Sequence, residues 1–264
     1  MNHKDCIKFL GTAGARFVVA KQLRSSAGVY LRMKGRSIIL DPGPGTLVRC
    51  AKSKPGIDVT KLDALILTHA HIDHSNDVNI LIDAMTSGGL KQRGILFAPN
   101  ECITGENAVV LPYLRGFVQD IVRLEPHQKY TIDTVSFSTS GRHQHPVETY
   151  GLIFDHYGQK ISFMVDTQYF PELTKDYADS DILVMNVVRF TPHESGDVMH
   201  LSIYDVREII ASLHPKKAIL THFGMTMLKA KPWVVANELS DELGMDVIAA
   251  SDGMTIELEE KPHE

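Results

Sequence analysis

The sequence has no apolar run approaching the eighteen or more residues that a membrane-spanning helix requires. It also lacks a signal-type apolar segment at its start, where the polar Met1-Asn2-His3-Lys4-Asp5-Cys6 runs directly into strand-like residues. Cysteine is scarce: Cys6, Cys50 and Cys102 are odd in number, widely spaced and never in a Cys-x-x-Cys pair. A disulfide framework is therefore not expected, and the thiols read as buried hydrophobes of a reduced, cytoplasmic protein. Positive charge is not in excess either. The formal net charge is −5, so the overall field does not favour nucleic acid. A local basic strip, Lys21, Arg24, Arg32, Lys34 and Arg36, reads as a solvated strand and loop face. Repeats, low-complexity stretches and linkers are absent, so residues 1–264 are expected to form one domain. Gly11-Thr12-Ala13-Gly14 lacks the Lys-Ser/Thr ending of a phosphate loop and reads as a flexible connection.

What is present is an ordinary globular composition, 44% hydrophobic and 22% charged, with 13 histidines as the outlying feature. Residues 7–10 alternate like a half-buried strand, and 29–33 with 37–40 read as a hairpin across Lys34-Gly35-Arg36. Asp41-Pro42-Gly43-Pro44-Gly45 ends the second strand, with Thr46 as the expected helix cap. Val78, Leu81, Ile82 and Met85 share one helical face, and Ser87-Gly88-Gly89 stops that helix. Residues 95–98 form another apolar run, 121–157 are β-rich, and 161–165 form a short strand ending on Asp166. A second half alternates helix and strand: 171–177, 182–186, 202–213, 217–221 and a helix near 233–243. Ser202-x-x-Asp205 has capping-box form, residues 254–258 close a sheet, and Glu259 to Glu264 is a charged tail. Two mixed sheets between helices are expected.

The chemistry gathers at Thr68-His69-Ala70-His71-Ile72-Asp73-His74, directly after the buried-strand run Ala64-Leu65-Ile66-Leu67. One histidine in such a place would read as a helix-capping or solvated group. Four potential ligands within six positions read as a metal site, because a divalent ion needs donors converging from a fixed frame and imidazole suits zinc, iron and related ions. Partners are expected at other strand ends. His145 precedes the strand-like 150–154, Asp166 ends 161–165, and His222 follows 218–221. Apolar strand then ligand thus recurs at 69, 166 and 222, as a site at one sheet edge requires.

With these residues in view, the chain resembles the metallo-β-lactamase superfamily, whose His-x-His-x-Asp-His signature is intact at His69 to His74. Leu10-Gly11-Thr12, Asp41-Pro42-Gly43, Asp166 and Thr221-His222 extend the resemblance over nearly the whole length. It implies an α/β (α+β) fold, the four-layer αββα metallo-β-lactamase-like sandwich. It further implies that His69, His71 and His145 hold one metal, that Asp73, His74 and His222 hold a second, and that Asp166 bridges them. Two such ions about 3.5–4 Å apart share a hydroxide that exists at neutral pH. Zinc is the default, with manganese or iron as alternatives. Asp41 would orient the ligands from behind. His143 rivals His145 as third histidine; His145 is favoured because Pro146 and Tyr150-Gly151 follow it at the family's spacing.

The superfamily hosts many reactions, so the substrate needs further signals. Class B β-lactamases usually carry a cysteine where Asp166 stands, and flavodiiron oxidoreductases a glutamate where His71 stands. Glyoxalase II-like thioesterases place their third histidine in a different context. The best resemblance is to the branch of ribonuclease Z and smaller phosphodiesterases, marked by a histidine before the last helix: Met199-His200-Leu201-Ser202. His200 would then protonate the leaving alkoxide. His193 and Glu194, in the loop before it, receive no role. Only twenty residues separate His145 from Asp166, where ribonuclease Z carries its tRNA-gripping arm. The expectation is a dinuclear metal-dependent hydrolase acting on a small phosphodiester, nucleotide or ester. Nucleic acid is not the favoured partner, no membrane is involved, and the oligomeric state stays open between monomer and homodimer. The alternatives are a tRNA 3′-end endoribonuclease, a mononuclear iron sulfur dioxygenase, and a binding protein with a vestigial site.

Overall fold

The protein is described by a computed structural model that covers residues 4–193 and 198–259. Glu194 and the end of the charged tail, 260–264, lie outside the described residues. The chain enters on β1 (Cys6–Phe9), passes a six-residue helix α1 (Ala15–Ala20), and forms the hairpin β2 (Val29–Met33) and β3 (Arg36–Leu40). Lys34 and Gly35 make the turn with φ of 48° and 77°, the left-handed pair that a two-residue hairpin needs to match strand twist. Then follow α2 (Thr46–Lys52), β4 (Ala64–Ile66), α3 (Ile72–Ser75), α4 (Val78–Thr86), β5 (Ile95–Pro99), α5 (Asn100–Ile103) and β6 (Asp120–Leu124). With β14 (Thr255–Glu257) returning beside β1, the first sheet runs β14-β1-β2-β3-β4-β5-β6.

The second sheet is built from β7 (Lys129–Ile132), β8 (Val135–Arg142), β9 (Tyr150–His156), β10 (Gln159–Met164), β11 (Ile182–Asn186), β12 (Lys217–Thr221) and β13 (Asp246–Ala249). Its spatial order is β13-β12-β11-β10-β9-β8-β7. Helices α6 (Ile203–Leu213), α7 (Met225–Ala230) and α8 (Pro232–Leu243) lie in the second half. The two sheets share a core that includes Phe9, Leu31, Ile66, Phe137, Phe154 and Ile219. The first sheet packs its other face on α4 through Val78, Leu81, Ile82 and Met85. The second does the same with α6 and α8 through Val206, Ile209, Ile210, Val235 and Leu239. These are the four layers of the expected αββα sandwich. Each fully buried Leu, Ile or Phe contributes roughly 1.5–3 kcal/mol, so the helix faces are fixed by burial more than by propensity.

In each sheet, antiparallel strands give way to parallel ones, β3-β4-β5-β6 in the first and β10-β11-β12-β13 in the second. Parallel strands end on one edge, so the residues after β3, β4, β10, β11 and β12 gather there. That edge carries the chemistry.

Three expectations need correction. Gly11–Gly14 is not a loose connection: Thr12 Oγ1 donates to Asp252, Ala13 N–H to Ser25 O, and Gly14 N–H to Phe223 O. Thr46 is not the helix cap. Gly45 takes that place at φ 89°, while the Thr46 hydroxyl donates to Gly43 O and accepts from Gly28 N–H. Residues 171–177 form only a tight 3₁₀ segment, Leu173–Tyr177, that buries its two ends. In the basic strip, Lys34 pairs with Asp155, Arg36 with Asp63 and Asp133, and Arg24 donates to Thr12, so most of it is engaged within the chain. Among the described residues no helix is long and apolar enough to cross a membrane.

Candidate metal centre

His69 follows β4, and the chain then turns into α3, which carries Asp73 and His74. Asp166 lies just beyond β10 and His222 just beyond β12. His145 stands in the connection from β8 to β9, which is drawn to the same edge by Tyr150 N–H donating to Thr68 O. His200 precedes α6. Asp205 accepts the Ser202 backbone N–H at 2.7 Å, closing the capping box that starts α6 two residues past His200. The Arg189 and Leu201 backbones are joined at 3.3 Å, fastening that loop to the exit of β11.

Three donor groups result; Asp41, His69 and His74 form one, and the other two have Asp166 between them. His69, His71, His145 and Asp166 bring ligand-type atoms within 4.8 Å of one another, and so do Asp73, His74 and His222. Asp166 lies between these two. Its Oδ2 is 3.4 Å from His74 Nε2, 3.6 Å from His200 Nδ1, 3.9 Å from His69 Nε2 and 4.0 Å from His145 Nε2. Its Oδ1 is 3.4 Å from His222 Nε2. Asp73 Oδ2 is 3.7 Å from His222 Nε2 and 3.9 Å from His74 Nε2.

The hydrogen bonds behind the rings decide which nitrogens are bare. Thr68 Oγ1 donates to Asp41 Oδ2 at 2.7 Å, so toward His69 it can only accept, and His69 Nδ1 carries the proton at 3.0 Å. His74 Nδ1 donates to Asp41 Oδ2 at 3.0 Å, and His145 Nδ1 to the Met199 carbonyl at 3.1 Å. In the neutral rings of His69 and His145, Nε2 is then a lone pair directed into the cluster. His71 Nδ1 lies 2.9 Å from His145 Nε2 and, since that nitrogen is an acceptor, donates to it.

The fit to divalent ions rests on unpartnered atoms. His69 Nε2, His74 Nε2, His200 Nδ1 and His222 Nε2 are buried without a hydrogen-bond partner. Stranding a buried polar atom costs roughly 1–3 kcal/mol, and four at one place call for a ligand. Burial, the largest influence, holds His69, His71 and His145 below the ordinary imidazole range, with neighbouring histidines adding to it, so these rings are neutral donors. Burial also works against ionised Asp166. The His222, His200 and His74 rings outweigh it and hold the carboxyl well below its usual range. Asp73 is lowered against the same opposition by His74 and His222. His74 is raised: burial opposes its charge, but Asp166 and Asp73 prevail. Negative charge thus meets the neutral imidazoles of His69, His71 and His145, and a bound ion would take the place of the His74 proton, a donor set that suits zinc and tolerates manganese or iron.

Backbone strain falls at the same place. Asp41 and His222 have φ of 48° and 59°, a left-handed conformation costing roughly 1–2 kcal/mol outside glycine. Close approach is provided by two glycines. A Cβ on Gly14 would lie 2.1 Å from His222 O, and one on Gly43 would lie 2.1 Å from Asp73 O. Under Asp73, His74 and His222 a cavity of about 50 Å³, lined also by Thr12, Ser26, Asn186 and Thr221, has room for water but not for a substrate.

Of the rival histidines, His145 faces the cluster, while His143 lies beneath it with Nδ1 on Asp166 O and Nε2 on Tyr177 Oη. Asp41 contacts Thr68 and His74 from behind, and His200 stands beside Asp166. His193 is exposed. Two further residues join the site: Thr68, at the head of the histidine stretch, which relays Asp41 to His69, and Asn186, which no sequence signal marked and whose Nδ2 donates to Asp166 Oδ1 at 2.9 Å.

Comparison with known proteins agrees with this architecture. Residues 36–223 match the family described as the β-lactamase superfamily domain. An uncharacterised protein of Methanocaldococcus jannaschii is 29% identical over 258 residues, covering 96% of this chain and 94% of its own. Ribonuclease Z of Clostridium botulinum is 32% identical over 133 residues, 49% of this chain and 40% of the enzyme. Among solved structures, the metallo-β-lactamase fold protein YhfI from Bacillus subtilis superposes with a TM-score of 0.76 at 17% identity, over 97% of this chain and 100% of that one. A diphosphatase from the PhnP family gives 0.72 at 20% identity, over 97% and 98%. The matched span holds the strand-end histidines and carboxylates just described, and the chain belongs to the β-lactamase superfamily, with the metallo-β-lactamase fold.

Proposed function

We propose that the chain is a dinuclear metal-dependent phosphodiesterase acting on a small phosphodiester or nucleotide. The observation that carries this reading is the position of Asp166 between two donor groups, with His200 3.6 Å from the same carboxylate oxygen. His69, His71 and His145 would hold one ion, Asp73, His74 and His222 the other, and Asp166 both. When bound, such a pair supplies an acidified water and a positive field for the phosphoryl oxygens. The chain's own residues do the rest. Asp41 fixes His74 directly and His69 through Thr68, so the imidazoles need not reorganise. Asn186 keeps one Asp166 oxygen occupied and leaves Oδ2 toward the histidines. His200, in contact with Asp166 through Nδ1, would offer Nε2 to the leaving oxygen as general acid.

Two features support a small substrate. Between His145 and Asp166 the chain forms only β9, the turn at Tyr157-Gly158 and β10, which leaves no arm to grip a folded RNA. The net charge of −5 supplies no sequence-independent attraction for one. The similarity to ribonuclease Z over 133 residues favours tRNA 3′-end cleavage as the second reading. The metal-loaded protein should be assayed in parallel on an activated phosphodiester, a cyclic nucleotide and a precursor tRNA. Turnover of the small diesters with no tRNA cleavage is expected, and efficient tRNA cleavage alone would replace the first reading by the second.

A further inference from the structure

The histidine beneath the centre is held as deliberately as the ones that face it. His143 is buried, and its Nδ1 lies 3.2 Å from the backbone carbonyl of Asp166. A carbonyl oxygen only accepts, so Nδ1 carries the proton and Nε2 is the acceptor in the neutral ring. Nε2 is met at 2.7 Å by the hydroxyl of Tyr177, a side chain with no exposed surface at the end of the 3₁₀ segment. The phenol therefore donates, and the direction of the whole chain is set: Tyr177 to His143 to Asp166.

The fold makes room for this contact. Gly151 lies on β9 facing Tyr177, and a Cβ there would fall 1.7 Å from the phenol oxygen. A strand position that favours a side chain is given up so that the hydroxyl can reach the imidazole. The 3₁₀ segment is itself tied to the end of β8, because Asp176 accepts Gly141 N–H at 2.7 Å.

We infer that His143 and Tyr177 are positioning residues for Asp166: they clamp its backbone carbonyl at the end of β10 so that its carboxylate stays between the two histidine groups. Neither residue reaches a ligand-type atom of the cluster, since the contact is made to the Asp166 backbone. Asp166 would otherwise rely on Asn186 at one carboxylate oxygen. The inference rests on the proposed metal centre, and the experiment separates the two.

Metal affinity is measured by chelator competition with zinc, on wild type, His143→Ala, His143→Asn, Tyr177→Phe and Leu239→Ala. Leu239 is buried in the outer helix layer and serves as a control for lost packing. The Asn amide can take the place of Nδ1 and still donate to the Asp166 carbonyl, so it acts as the conservative rescue. His143→Ala should lower zinc affinity about ten- to hundredfold, the range for groups that orient a ligand from behind. His143→Asn should restore most of that, Tyr177→Phe should fall between, and Leu239→Ala should lose thermal stability with zinc affinity kept. Wild-type affinity in His143→Ala would overturn the clamp, as would an equal loss in Leu239→Ala at matched melting temperature. If His143→Ala fails to fold, Tyr177→Phe and His143→Asn decide: unchanged affinity in the first together with a full loss in the second overturns it. Wild-type protein that takes up no zinc overturns the centre, and the clamp with it.

Discussion

His74 Nδ1 donates to Asp41 Oδ2 over 3.0 Å, and that single carboxylate also takes the Thr68 N–H and hydroxyl, each at 2.7 Å. Asp41 thereby fixes one histidine of each donor group, His74 directly and His69 through Thr68. Its left-handed φ of 48° turns the chain at the end of β3, beside the end of the parallel β4, instead of continuing the strand.

Replacing Asp41 by alanine should therefore weaken both halves of the centre. Zinc affinity is expected to drop about ten- to hundredfold. The folded protein should also lose roughly 1–3 kcal/mol for each buried donor left unpaired. Calorimetric zinc titration and thermal melts of metal-free protein check the two effects separately. A variant that melts lower but binds zinc as wild type does would reduce Asp41 to a structural residue.

Gly14→Ala places a methyl group against the His222 backbone and ring, with no change of backbone conformation needed at the glycine itself (φ −123°). Overpacking of this kind costs about 1–3 kcal/mol. Because the displaced residue is a proposed ligand, loss of metal should exceed what the stability change alone gives. Metal content per folded chain, compared with Gly35→Ala on the open hairpin turn, is the check.

His200→Ala should keep its metal and lose rate, by about a hundred- to ten-thousandfold if His200 supplies the leaving-group proton. A substrate whose leaving group needs no protonation, such as a nitrophenolate, should be spared most of that loss. Equal losses on good and poor leaving groups would remove the general-acid role.

Stability should fall at high pH. Burial, the main cause, lifts the Cys50 thiol from 9.0 to about 12 in the fold, with Asp77 adding to it. Between those values the unfolded chain has lost a proton that the folded one retains, so unfolding is favoured as pH rises, by up to about 1.4 kcal/mol per pH unit. Denaturant melts from pH 8 to 11 should show this decline, and Cys50→Ala should reduce its slope by the Cys50 share, the buried Cys102 thiol being raised in the same direction. A decline of equal slope in the variant would assign it to other groups.

How much of this was legible in the sequence follows from what kind of information each part needs. Val78, Leu81, Ile82 and Met85 announce α4 because burial and helical period coincide, and all four are buried. His69, Asp166 and His222 stand out because each is a ligand type directly after an apolar strand. Helices α1 and α7, six residues each, are too short for periodicity to declare them. His143 and His145 sit where the chain bends after β8, so alternation cannot say which one faces the cluster. Asn186 and Tyr177 were invisible for a different reason: their roles lie in contacts between strands and turns distant in sequence, and neither belongs to a motif.

The central claim is a two-ion site that cleaves phosphodiesters, and one paired measurement tests it most directly. Metal per chain should be counted by elemental analysis on the same sample whose turnover of an activated phosphodiester is measured, for wild type and Asp73→Ala. Two ions per wild-type chain with turnover are predicted, and Asp73→Ala should lose one ion or most of the rate. Two ions without phosphodiester turnover, or one iron with oxygen uptake, would contradict it.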